Sequence, residues 1–367
     1  MRTKKEAYPL ALAMLTMRSK RRYGGYIVHL GIVFCFLAFT GNAFRIYQPE
    51  VSLNVGDRTE VGTYGLIYTG SNTDYEPDGA YVRERATVVA IDRHDAPSAA
   101  VVDALRNAAQ ASTKGEVTAE TKPGSPRVAL TFADDLAARA FAAPFFARSI
   151  GDRVTALPED PQQPAVLSML PNARMQQVAR VAPRMVMGVF KDTRSFFEDR
   201  SPFKASVRTV PGQMQFSVRF RNVEQKKLFA SWMTSKPTPE LRMVRYNDKV
   251  DARLQGKKAG RVDIVPASAG FVLYPEVRFY AKHSSPTTEV AIESTFEHDL
   301  YLAMRPQQGK RFITLLAIVF PFVSFLWLGA AVMVIGASIC MWPTRTAAVV
   351  VVKERRPIAP EPPLTPA

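Results

Sequence analysis

His29 is the residue whose position most clearly suggests chemistry. It sits in Tyr26–Phe44 (YIVHLGIVFCFLAFTGNAF), a run with no acid and no lysine. An ionisable side chain in a stretch that can cross a bilayer is a functional-site candidate by default, because hydrocarbon offers its polar atoms no water. Imidazole is also a standard axial ligand of heme iron. Gly25 lies four residues before His29 and Tyr26 three before it. The neighbour one helical turn down therefore has no side chain, and a flat macrocycle can approach there. Arg22, seven residues back, falls on the same face, where its charge suits a heme propionate. From the residues alone two readings stand side by side: a heme or proton-handling role, or a histidine hydrogen-bonded to a neighbouring helix.

Other constellations carry less. Ser201-Pro202-Phe203-Lys204 has the S-x-x-K spacing of penicillin-recognising acyl enzymes. That chemistry needs the serine at a helix start and further Ser-Asp-Asn and Lys-Thr-Gly elements. Here Pro202 follows the serine, a strand pattern follows the lysine, and neither other element occurs. Glu297-His298-Asp299 invites a metal reading with His283 or His94. In a strand, however, 297 and 299 face one way and 298 the other, so the three do not converge. Cys35 and Cys340, the two cysteines, lie inside apolar runs and read as small hydrophobes. No G-x-S-x-G, Walker A or G-x-G-x-x-G pattern is present.

The elements that must position His29 follow from charge and hydropathy. The chain has 367 residues and a net charge of +15, with 22% charged and 47% hydrophobic residues. Residues 1–22 hold seven Lys/Arg against one Glu, and 343–367 hold four against two. The two ends thus carry eight of the fifteen excess charges, and each abuts an apolar run. That is the pattern of cytoplasmic flanks of membrane spans. The rest of the excess is too dilute to track phosphates, so no nucleic-acid partner is expected. The apolar run 26–44 gives a helix of roughly 28 Å, enough for a bilayer core. The run 312–342 would give about 46 Å, too long for one span. Pro321 divides it, since proline suits a first helical turn and pushes the preceding residue toward extended geometry. The expectation is a strand over 312–319 and a transmembrane helix over 321–342. Gly329 and Gly336, with Ala330 and Ala337, offer a face of small residues for another membrane helix.

The expected fold is a membrane protein with two transmembrane helices enclosing a β-rich extracytoplasmic domain that carries a mixed helical and β insertion. A cytoplasmic basic segment (1–25), with an interfacial helix at 8–17, precedes the first span (26–44). The extracytoplasmic domain covers 45–320, and 97–265 within it changes character enough to read as an insertion or subdomain. A disordered cytoplasmic tail (343–367) follows the second span. VSLNV, EVGTYGLIYTG, YVRERATVVAID, GFVLYPEVRFY, TTEVAIEST and DLYLAM read as antiparallel strands.

Lys20-Arg21-Arg22-Tyr23-Gly24-Gly25-Tyr26-Ile27-Val28-His29-Leu30-Gly31 resembles the start of a late transmembrane helix in the CcmF-type heme lyases of cytochrome c maturation. Leu273-Tyr274-Pro275-Glu276-Val277-Arg278-Phe279-Tyr280, Thr288–Ile292, Asp299-Leu300-Tyr301 and Pro321 through Gly329 agree in order and spacing. The resemblance covers roughly 20–92 and 268–342. It implies that His29 is one of two axial ligands of an intramembrane heme b, with Arg22, Gly25 and Tyr26 beside it. It also implies a bacterial cytoplasmic membrane location and a role in covalent heme attachment to apocytochrome c. The family's tryptophan-rich WWD segment, which receives heme from a carrier protein, is absent; Trp232, Trp327 and Trp342 are isolated. Nor do His94, His283 and His298 sit in matching motifs.

The expectation is therefore the C-terminal part of such a lyase, not catalytic alone and partnered with a WWD-bearing N-terminal subunit. A membrane-tethered scaffold without heme is the competing expectation. The topology has a direct test. Cysteines placed at Asp78 and at Glu354 should react with an impermeant thiol reagent from opposite sides of the membrane, with 354 on the cytoplasmic side.

Overall fold

The computed structural model describes residues 19–76, 81–181, 183–209, 214–236, 241–247, 259–280, 285–306 and 312–342. The expected interfacial helix at 8–17, the tail at 343–367, His283 and position 78 lie outside the described residues. The chain divides into a unit of residues 1–37 with 325–367 and a unit of residues 38–324.

Along the chain, α1 (Lys20–Gly41) runs through a 3-10 turn (Asn42–Phe44) into β1 (Ile46–Asn54), β2 (Arg58–Val61), β3 (Tyr64–Tyr75) and β4 (Tyr81–Asp92). The middle then alternates through α2 (Ala99–Ala111), β5 (Val117–Thr121), β6 (Val128–Phe132), α3 (Asp135–Gly151), β7 (Val154–Ala156) and β8 (Val166–Pro171). Next come α4 (Ala173–Val181), α5 (Pro183–Ser195), a π-helical turn (Phe196–Arg200), β9 (Ala205–Thr209), β10 (Phe216–Phe220) and α6 (Val223–Thr234). β11 (Leu241–Asn247), β12 (Gly260–Pro266), β13 (Phe271–Leu273), β14 (Glu276–Tyr280) and β15 (Thr287–Glu289) follow. Finally β16 (Ala291–Ser294), β17 (His298–Pro306) and β18 (Phe312–Pro321) lead to α7 (Ser324–Met341). Two helices long and apolar enough to cross a membrane thus flank a β-rich unit.

Two antiparallel sheets hold the β-rich unit together, one in the order β1-β18-β17-β16 and one in the order β15-β14-β4-β3-β2, with β13 also on β4. Leu53, Leu66, Val88, Leu300, Leu302 and Leu315 belong to the core they share. In β18 the inward residues alternate strictly, Ile313, Leu315, Ala317 and Val319 being buried. Two further sheets, β7-β8-β10-β9 and β11-β12-β6-β5, use only strands from residues 117–266. Val265 of β12 packs on Ile67 and Val89, the opposite face of the β3–β4 pair from Leu66 and Val88. Strands covered on both sides read as continuous apolar runs, which accounts for GLIYT in β3 and TVVAI in β4.

The structure departs from expectation at several places. GFVLYPEVRFY splits into β13 and β14, and TTEVAIEST into β15 and β16, which belong to different sheets. The first long helix begins at Lys20 and not at Tyr26, and residues 42–44 form a 3-10 turn. EVGTYGLIYTG is a hairpin and not one strand, because Gly62 takes φ +57 between β2 and β3. The second long helix starts at Ser324 and not at Pro321, which ends β18. Phe322 adopts φ +67, its N–H donates to Glu297 O at 2.9 Å, and Ser324 Oγ donates to Phe296 O. Those bonds hold a turn where proline alone would have permitted a helix to begin.

On β14, Glu276 stands opposite Arg85, and Arg278 opposite Arg83. The Glu276 side chain is 9% exposed and accepts from Arg85 Nη2 at 3.0 Å and Arg278 Nη2 at 2.8 Å. Arg83 approaches it at 3.8 Å and also pairs with Asp74. Burial works to raise the Glu276 pKa, but the bonds from Arg278 and Arg85 outweigh it and hold the carboxyl below its usual range. A carboxylate depressed on folding stabilises the fold above its unfolded pKa of about 4.3, and that contribution disappears as pH falls through the folded value. Glu276→Gln should cost about 2 kcal/mol at pH 7. Urea unfolding of the full chain in detergent at pH 7 and at pH 3 should show the gap between variant and parent closing at the lower pH.

Candidate functional site

Within the helical unit, α1 and α7 run antiparallel and touch through glycine. A Cβ added at Gly24 would lie 2.8 Å from the carbonyl oxygen of Gly336. One added at Gly31 would lie 2.7 Å from that of Gly329. The converse holds at Gly329, 2.6 Å from Gly31 O, and at Gly336, 2.7 Å from Val28 N. The contact therefore pairs two glycines seven residues apart on one helix with two glycines seven apart on the other. Backbones this close gain dispersion contacts that larger side chains would prevent. Phe34 and Phe325 add a ring contact at 6.0 Å. The small-residue face read from the sequence is thus covered in part by the chain's own first helix: Gly329 and Gly336 are buried, while Ala337 stays exposed.

At 100° per residue, Gly24, Val28, Gly31 and Cys35 define the side of α1 toward α7, and Arg22, Gly25, Tyr26 and His29 fall on the opposite side. The burial agrees, with Gly24 and Gly31 buried and Arg22, Tyr26 and His29 exposed. The four residues picked out in the sequence share one outward ridge, which continues through Val33 and Phe36.

The geometry of that ridge sets what His29 can do. Its Nδ1 lies 2.8 Å from the carbonyl oxygen of Gly25. A carbonyl only accepts, so Nδ1 is the donor of this bond, and in the neutral ring Nε2 is then the nitrogen with the free lone pair. That is the tautomer and the second contact that a metal-ligating histidine ordinarily has. A Cβ on Gly25 would meet nothing within 4 Å, so the space above that turn is open. Arg22 donates from Nε to Tyr26 Oη at 3.0 Å, and its guanidinium carbon lies 5.9 Å from the Tyr26 ring centre. Tyr26 thereby steadies an arginine whose Nη groups, among the described residues, have no acceptor. Among the described residues the hydrogen bond of His29 is to its own helix, through Nδ1. The ridge therefore offers an imidazole nitrogen, an open approach beside Gly25 and a cation, and nothing on it conflicts with a planar group bound there.

The remaining chemistry-bearing residues do not join it. His94 lies in a turn where its N–H donates to Asp92 Oδ1. Glu297-His298-Asp299 leads into β17, and His298 Nε2 shares a 2.8 Å hydrogen bond with the Tyr64 hydroxyl. Burial, then the charges of Asp92, Glu293 and Glu297, push the Tyr64 phenol up, so it stays protonated. This pair joins residues 234 positions apart, and nothing in either local sequence announces it. Ser201 is buried, with its Oγ accepting from Phe203 N–H. Among the described residues no group of three His, Cys, Asp or Glu is placed to hold a metal ion.

No family model, curated protein or solved structure matches the chain.

The glycine contact has a direct test. Nitroxides at Val33 and Val334, both exposed, in a Cys35→Ala, Cys340→Ala background should report a narrow distance distribution by pulsed EPR. Gly336→Leu should lengthen the distance by about 2 Å, the range over which interaxial separation follows side-chain size. Ala337→Leu should leave it unchanged.

Proposed function

We propose that the chain is the C-terminal subunit of a split cytochrome c heme lyase, and that His29 supplies one axial nitrogen to a heme b within the membrane. The observation that supports the reading most is the state of His29. Its Nδ1 is committed to Gly25 O, and its Nε2 faces outward on a ridge opposite the α7 contact. A histidine kept only for helix pairing would point into that contact.

In this reading each residue has a separate task. The Gly25 carbonyl fixes the imidazole tautomer and orientation; the missing side chain at Gly25 lets a planar group lie against the helix. Arg22, steadied by Tyr26, offers its Nη groups to a carboxylate at the membrane surface. A bound heme b would supply a one-electron couple to keep the heme undergoing attachment ferrous. No other histidine falls within residues 19–44 or 312–342, so the second axial ligand comes from a partner that carries the tryptophan-rich segment. The β-rich unit then faces the periplasm, where apocytochrome c and the heme carrier protein act, and both apolar helices cross the bacterial cytoplasmic membrane. The assembled complex, and not this chain alone, is the catalyst.

The complex co-expressed with such a partner should show a six-coordinate, low-spin heme spectrum. His29→Ala should abolish that spectrum or convert it to a five-coordinate one. His94→Ala and His298→Ala should leave it intact. A complex that contains no heme would favour the tethered scaffold, and an unchanged spectrum in His29→Ala would remove His29 from the heme.

A further inference from the structure

The sheet β1-β18-β17-β16 has two unlike ends. At one end lie the start of β1, the end of β18 and the start of β17, where Ile46 stands opposite Val319 and His298 opposite Pro321. Phe44 and Phe296 at this end are 69% and 68% exposed, and Ile46, Tyr47 and Phe322 are exposed as well. The other end presents Asn54, bonded to Asp57, and the charged Arg305. Exposed rings gathered at one end of a sheet are costly in water, yet the other end of the same sheet shows polar and charged groups.

The apolar end is also where the chain enters and leaves the β-rich unit. A Cβ on Gly41 would lie 3.4 Å from Phe322 Cβ, so the two connecting segments run side by side. The exit is tied to the neighbouring turn by Phe322 N–H to Glu297 O and by Ser324 Oγ to Phe296 O. The exposed rings therefore surround the points at which both long apolar helices are covalently attached. Tyr, as at Tyr47, concentrates at the level of lipid headgroups, and exposed Phe and Ile side chains at that level exchange water for acyl chain.

We propose that this end of the sheet, around Phe44, Ile46, Tyr47, Phe296 and Phe322, is seated in the outer interface of the bilayer, so that the β-rich unit rests on the lipid surface. The occupant is the lipid interface and not a protein, because the patch is continuous in the chain with two helices that lipid would surround. The proposal rests on the reading of α1 and α7 as membrane spans.

The test uses the full chain in phosphatidylcholine vesicles, with Cys35 and Cys340 replaced by alanine. A single cysteine carries an environment-sensitive fluorophore at Phe296, at Phe44, at Ser52 or at Val33. Ser52 is exposed and lies about 20 Å along β1 from Ile46. With lipids bearing a nitroxide high on the acyl chain, the labels at 296 and 44 should be quenched at least twofold more than the label at 52. Quenching at Val33 with none at 296 or 44 would overturn the proposal and leave the membrane reading standing. No quenching at any position, Val33 included, would overturn the membrane reading and this proposal with it. Two independent sites guard against a local disturbance at either one.

Discussion

The pairing of β1 with β18 is the constraint on which the rest of the arrangement depends. One strand follows directly from the first long helix and the other leads directly into the second. Their register, Ile46 opposite Val319 through Asn54 opposite Phe312, fixes the entry and exit of the β-rich unit at one end of a single sheet. β17 completes the other side of β18, and the turn at Phe322 is anchored to the loop before β17. The 97–265 segment can fold into its own pair of sheets because the primary sheets are already closed by strands on either side of it. It covers the outer face of β3 and β4 and contributes no strand to the sheet that carries the helices.

α1 divides its circumference between two tasks. Gly24 and Gly31 give up side chains so that α7 can approach, and Gly25, one residue on, gives up its own on the far side with nothing against it. Two adjacent glycines, about 100° apart around the helix, thus serve different faces. Because the α7 contact is satisfied within the chain, His29 and its neighbours are left on the face that looks outward. The ion ladder around Glu276 lies in the other unit, its carboxylate matched by Arg85 and Arg278.

Much of the framework is legible from sequence because it depends on local period and length. Apolar runs of the right length mark both long helices, Pro321 divides a run too long for one span, and period two places Glu276 and Arg278 on one face. The mirrored glycines were equally readable: Gly24 and Gly31 repeat the seven-residue spacing of Gly329 and Gly336, but the signal means contact only when both helices are compared. What local sequence does not reveal are long-range bonds. Phe322 has no intrinsic preference for a left-handed conformation and takes it because Glu297 and Phe296 hold the turn. Tyr64 and His298 meet only through the stacking of two sheets. The tautomer of His29 depends on a carbonyl, which every residue has, so residue type alone could not announce it.

The β1–β18 ladder also sets a timetable for synthesis. Ile46 and Val319 are 273 residues apart, so at ordinary elongation rates β1 waits roughly 14–55 s for its partner. During that interval the first helix is complete and its sister has not been made. Its glycine groove is open, and β1 still lacks β18. A nascent chain in this state presents a smooth furrow to its surroundings. Protection of that furrow until residue 324 emerges is a demand that the finished molecule no longer displays.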